Sequence, residues 1–328
     1  MFTDGFVISS PITSDNLSVF LIHGDEQTPD TSFLTLDEAL RHKLLIVHET
    51  GSVGELAVEN LSSSVEVFIQ AGDIVKGGLQ DRVLAYDVIV PPKSGRVPVG
   101  AYCVESARWN KRGGEDAVSF MRSSDRAHSG LRQAFLSKSQ SEVWNRVEQA
   151  QDRLSARLGK DVRSAYSETS FQLTLEDKDL EKRTKQYVDS LIDIVKAEAT
   201  AVGCAVAING KVMSAEVYSS RSLFARLWPK MLKANAVEAV SESDKKEFVA
   251  ASIDDIHKYL NDAQGERATE QRVPPRVQVL VRETPRTVCE ETRDEGRGGQ
   301  WIHRSWVAND SEGEGDRSHP RHARGARY

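Results

Sequence analysis

At 328 residues the chain is long enough for one large domain or two ordinary ones with a substantial core. Hydrophobic residues at 39% and charged residues at 28% give the balance of an ordinary water-soluble protein, outside the range of disordered or membrane-resident chains. The net charge of -6 argues against broad binding to nucleic acid or anionic membranes, while leaving room for a local basic pocket around one phosphate group.

Cys103, Cys204 and Cys289 are odd in number and far apart, so they make neither a disulfide framework nor a metal-ligand pattern. No apolar run approaches the roughly 18 residues of a membrane span, and the expected location is cytoplasmic.

Phe6-Val7-Ile8 and Val19-Phe20-Leu21-Ile22 read as short strands, and Thr35 with Glu38 forms a capping box that opens a short helix over Leu36 to Leu40. Leu44 to Val47 and Leu56 to Val58 resume strand character. Val65 to Ile69 and the longer run Val83 to Val90 follow as buried strands, and Val97 to Val104 as a third. These strands lie too close together for helical crossovers, so they are expected to be antiparallel or to meander.

Asn110 to Ser129 loses all periodicity and is expected to be a mobile loop. Val143, Trp144, Val147, Ala150, Leu154 and Leu158 then recur at helical steps and stop at Gly159. A second long helix is expected from Leu175 to Glu198. In Cys204 to Tyr218 the Asn209-Gly210 pair marks a tight hairpin. Ser219 to Asn235 and Asp244 to Asp262 read as helices, with Pro229 kinking or ending the first. A linker precedes late strands at Val277 to Val281, Thr287 to Cys289 and Trp301 to Val307.

The expected fold is α+β: an antiparallel or mixed β-sheet covered by helices in a single large domain over residues 1–308. It is strand-rich over 1–109, helix-rich over 139–262 and closed by late strands over 277–307. Residues 309–328, with few apolar side chains, are expected to form a disordered tail.

Polar residues crowd most densely between Gly72 and Trp109. Gly77 and Gly78 let backbone amides approach an anion, Lys76 and Arg82 supply charge, and Gln80 can donate and accept. Asp73 or Asp81 can act as a base, orient water or hold a divalent ion. The plain alternative is a glycine turn with solvated charges. Past the third strand come Glu105, Arg108 and Trp109, offering a carboxylate, a fork for phosphate and a stacking face, or simply an ion pair beside a core tryptophan. In Trp301-Ile302-His303-Arg304-Ser305-Trp306, alternation puts His303 and Ser305 on one face and Arg304 on the other; a lone histidine is more often structural than a base. No nucleophile elbow, HExxH, P-loop or GxGxxG is present, and no metal site is assigned. VFIQAGDIVKGG and CAVAINGKVMSAEV look distantly alike, as a duplication would leave them.

LDEAL, HETGSVGELAVEN, GDIVKGGLQDR, VPPKSG, CVESARW, SQSEVW and ETRDEGRGGQWIHRSW together resemble the ARG and rhodanese-phosphatase-superfamily-associated protein domain family, from about Leu34 to about Trp306. The family is named for its genomic company, which by association points to ADP-ribose or nucleotide metabolism. Its polar signature falls on Gly77, Gly78, Gln80, Arg82, Glu105, Arg108 and Trp109; Asp81 stands where the pattern has asparagine. The resemblance favours a site in the central loop. Together with the residue reading it leads to an expected phosphate-bearing small-molecule ligand of the nucleotide-derived class, held by Lys76, Gly77, Gly78, Gln80, Arg82, Arg108, Trp109 and His303, with cofactor and oligomeric state left open. Two alternatives stay beside it: a hydrolase or transferase using Asp73, Asp81 or Glu105, and a non-catalytic interaction module.

Overall fold

The computed structural model describes residues 5–27, 33–106, 108–244 and 246–309. Its spine is a pair of strands, Leu17–His23 and Ala201–Ile208, whose side chains are buried on both faces. Alternation divides them: Leu17, Val19, Leu21, Cys204, Val206 and Ile208 enter the main core, whereas Phe20, Ile22, Ala205 and Ala207 pack with Ile256 and Leu260 of the Ile253–Asn261 helix. A sheet covered on both faces produces such continuous apolar runs.

Around this spine runs a nine-stranded antiparallel sheet. Its order is Val7–Ile8, Leu17–His23, Ala201–Ile208, Lys211–Tyr218, Gln300–Ala308, Thr287–Asp294, Val277–Glu283 and Thr269–Val273, with Ile12–Ser14 hairpinned onto Leu17–His23. The Asn209-Gly210 turn is present, both residues at positive φ of 49° and 77°. A six-stranded sheet orders Phe120–Arg126, Asp73–Gly77, Arg82–Leu84, Arg96–Cys103, Glu55–Asn60 and Leu45–Ser52. A three-stranded sheet holds Val88–Val90, Glu66–Ile69 and, parallel to the latter, Phe33–Thr35. The helix Arg221–Glu242 lies against both the large sheet and Phe120–Arg126, and the helices Lys178–Leu191 and Gln140–Leu158 pack on it. One main core spans residues from Leu17 to Ile302, so the chain is a single α+β domain of antiparallel and mixed sheets covered by helices, as its composition and patterning imply.

Several local expectations are corrected. The run Val83 to Val90 is not one strand: it breaks into Arg82–Leu84 and Val88–Val90, which belong to different sheets. The expected loop Asn110 to Ser129 contains the strand Phe120–Arg126, held by pairing with Asp73–Gly77 rather than by an apolar pattern of its own. The helix at Ser219 continues through Pro229 to Glu242, because its wall of buried residues from Leu223 to Ser241 outweighs one lost backbone hydrogen bond. The next begins only at Ile253, where Ser252 and Asp255 close a capping box. Leu175 to Glu198 is broken into shorter helices, and a strand, Thr269–Val273, occupies the expected linker. The two runs that look alike differ in topology: Ala201–Ile208 and Lys211–Tyr218 pair as a hairpin, whereas Glu66–Ile69 and Asp73–Gly77 join separate sheets. The expected tail lies, from residue 310 on, outside the described residues.

Candidate functional site

The central loop and the turn after Cys103 do meet, and they meet as a buried ion-pair knot. Arg112 grips the Asp81 carboxylate with both terminal nitrogens at 3.0 Å, and Ser170 Oγ and the Gly77 amide donate to it at 2.9 and 3.0 Å. Arg108 Nε donates to Glu105 Oε2 at 2.9 Å, Ser167 Oγ donates to Oε1, and the Asp81 amide donates to Oε2 at 3.2 Å. Burial by itself raises the Glu105 pKa, but these donors outweigh it and hold the carboxyl below its ordinary range.

The glycines serve this knot in an unexpected way. The carbonyls of Gly78 and Gly77 accept from Arg108 at 3.1 and 3.4 Å, while the amides of Gly78 and Leu79 are spent on Asp116 O and Glu49 Oε2. Gly78 has φ +57°, and a Cβ there lies 2.8 Å from Phe120 Cε1. The glycine pair therefore permits close packing and directs its amides inward. Arg82 is fully buried, facing Glu49 at 3.5 Å, with its guanidinium 5.4 Å from the Trp109 ring centroid. Trp109 is 46% exposed, Gln80 is buried, and Lys76 turns outward onto Glu176 at 2.6 Å.

His303 lies apart from that knot, in a second buried cluster on the main-core face of the large sheet. Strand register builds it: Tyr218, His303 and Thr292 stand side by side across three strands, and Glu216, Ser305 and Glu290 form the next row. Asp87, in the break between Arg82–Leu84 and Val88–Val90, accepts from His303 Nδ1 at 2.7 Å, Thr292 Oγ1 at 2.6 Å and the Ala71 amide at 2.8 Å. Glu216 takes Arg126 at 2.8 Å, Arg132, Tyr218 Oη at 2.7 Å and Gln70 Nε2 at 2.8 Å. Burial disfavours its charge, yet the two arginines win and keep its pKa well below the usual value.

Asp73 stands at the edge of the second cluster, accepting from the Gln70 amide at 3.2 Å. It pairs with Lys230 at 2.8 Å on the wall of a cleft of about 500 Å³ between the short helix Leu36–Arg41, the strand Phe120–Arg126 and the helix Arg221–Glu242. Arg226 faces Glu38 at 3.3 Å and Lys233 faces Asp125 at 2.6 Å. Arg41 and Arg122 share one carboxylate, that of Asp37. Leu36, Val188, Ile192, Leu227 and Pro229 make its apolar side. Sequence reasoning missed these cations, although Arg226, Lys230 and Lys233 recur at helical steps in SLFARLWPKMLK and mark one face. Arg41 and Arg122 carry no such signal.

These features define a mixed α+β domain with two buried charged clusters and an open cationic cleft. Residues 5–307 match the model of the ARG and Rhodanese-Phosphatase-superfamily-associated Protein domain, and the chain belongs to that family. Comparison with curated proteins and with solved structures returns no significant match. No helix among the described residues is long and apolar enough to cross a membrane.

Proposed function

We propose that the protein binds a phosphate-bearing small molecule in the cleft beside Asp73. The observation that carries this reading is the sharing of Asp37: two guanidiniums, Arg41 and Arg122, both about half exposed, converge on a single carboxylate at the cleft mouth. One cationic charge there is left without its own counter-ion, and a phosphate supplies one with bidentate geometry. Lys230 and Lys233, each paired with a carboxylate, continue the polar wall, and the apolar side offers a surface for the rest of the ligand. An ADP-ribose-like or nucleotide ligand has both parts. The family's name supports that choice of class by association alone.

The test is titration calorimetry with ADP-ribose, NAD and simple nucleotides. Binding that weakens with salt and drops about tenfold in Arg122→Ala is expected. No heat of binding at millimolar ligand removes the reading.

A hydrolase or transferase is the second reading, and what favours it is that Asp73, one of the nominated carboxylates, lines this cleft. It requires turnover of an ADP-ribosyl or phosphoester substrate that Asp73→Asn abolishes while ligand binding persists.

A further inference from the structure

A second cavity, of about 290 Å³, opens between the helix Ser129–Leu136 and the strands Val277–Glu283 and Thr287–Asp294. Ala85, Tyr86, Phe135, Val281, Val288 and Val307 make an apolar side, and Arg132 and Glu290 lie beside it among the polar half of the lining. Those two connect to the buried cluster through one hydroxyl. Arg132 Nη2 donates to Ser305 Oγ at 3.1 Å, and Ser305 Oγ stands 3.5 Å from Glu290 Oε2. Among the described residues no other hydrogen bond reaches the Glu290 side chain.

The charges of that cluster do not balance. Arg126, Arg132 and, when protonated, His303 face Asp87 and Glu216, while Asp73 is taken by Lys230. That leaves one positive charge in excess, directed through Arg132 at the cavity. Three things can remove it: loss of the His303 proton, which Asp87 and Glu216 oppose, ionisation of Glu290, or an anion from outside. Burial raises the Glu290 pKa, with Asp87 adding to the rise and Arg132 and His303 opposing it, so ionisation is the costly choice. Lys138, whose Nζ donates to Gln271 Oε1 at 3.3 Å, and Glu270 and Glu283 also line the cavity.

We propose that this cavity binds a small monocarboxylate with an apolar body, its carboxylate seated on Arg132 and accepting a hydrogen bond from Glu290 in its acid form. The apolar side takes the body, and a carboxyl–carboxylate hydrogen bond joins ligand to Glu290. Where Glu290 is ionised before binding, it takes up one proton from solvent as the ligand enters, and that proton stays on Glu290 as the donor. This site is separate from the cationic cleft and does not depend on the reading given to it.

Benzoate is the probe, with benzamide as its uncharged counterpart, measured by calorimetry from about pH 5 to about pH 8. Benzoate affinity is expected to fall as pH rises, to exceed that of benzamide by about tenfold at the acid end, and to fall less steeply in Glu290→Gln, which keeps a donor at every pH and leaves only the His303 contribution to the slope. A second measurement needs no variant: in buffers of different ionisation enthalpy, the wild-type protein takes up protons on binding benzoate at the alkaline end. No benzoate binding at millimolar concentration, equal binding of benzamide, a slope unchanged in Glu290→Gln, or binding without proton uptake each overturns the proposal.

Discussion

Asp87 and His303, 216 positions apart in the chain, meet with 2.7 Å between Oδ2 and Nδ1, and this contact ties the break between two sheets to the face of a third. The imidazole is stacked on Tyr218, with ring centroids 4.5 Å apart, and is buried to 2% exposure. Its Nε2 has no hydrogen-bond partner among the described residues, and Glu216 stands 3.7 Å away. The pair is placed to hold layers together.

Its pH dependence has a definite sign. Burial works against a charged His303, but Asp87 and Glu216 prevail and raise its pKa above 6.5. The stability this histidine contributes is therefore complete below about pH 6.5 and is lost as pH rises through the higher folded value. Asp87 goes the other way: burial opposes its charge, His303 more than compensates, and its contribution is present above the ordinary carboxylate range and lost as pH falls through the lowered value. Urea unfolding should show His303→Gln more damaging at about pH 6 than at about pH 9. An NMR titration placing His303 below its ordinary value would contradict this.

The Asp81–Glu105 knot should behave as structure. Glu105→Gln or Asp81→Asn leaves Arg108 or Arg112 buried without its full counter-charge, and a loss of about 3–5 kcal/mol is expected. Chemical denaturation measures it. If either variant unfolds like the wild type, the knot is not what holds the central loop.

Gly78→Ala tests the packing of the same loop. The position has φ +57°, and the added Cβ lies 2.8 Å from Phe120 Cε1 and 2.9 Å from Glu49 Oε2. Strain and overlap together should cost about 1–3 kcal/mol. Gly51→Ala, at φ +76° with open space around it, carries the backbone strain alone and should cost less in the same urea experiment.

The cysteines should be silent in the native protein. Burial lifts the Cys103 thiol to about 11 and that of Cys289 to about 12, and it raises Cys204 as well, so little thiolate exists near neutral pH. A disulfide reagent should titrate no thiol in buffer and all three in denaturant. Fast labelling of Cys103 in the folded state would show that the Arg82 contact activates it instead.

Much of the architecture was readable from the residues alone. Alternating and continuous apolar runs marked the strands on either side of Asn209-Gly210, the Thr35 and Glu38 pair marked a helix start, and Gly159 marked a helix end at φ +68°. Each is a local choice between backbone conformations, settled by side chains within a few positions. The strand Phe120–Arg126 was not readable, because its support is the Asp73–Gly77 partner rather than its own pattern.

Which polar residues stand together was decided by the tertiary structure. The sequence marked Asp73, Lys76, Gly77, Gly78, Gln80, Asp81, Arg82, Glu105, Arg108 and Trp109 together, and of these Gly77, Gly78, Asp81, Glu105 and Arg108 share one knot while Lys76 turns outward onto Glu176; that the knot's donors and acceptors are consumed within it follows from Arg112, Ser167 and Ser170, which lie beyond that stretch of the chain. Asp73 was separated from that group, and His303 was carried to Asp87 and Glu216, by strand pairings between residues far apart. Hydrophobic period is a property of neighbours in sequence, whereas the balance of charge around a carboxylate belongs to neighbours in space. The first is written along the chain, and the second exists only once the sheets have closed on each other.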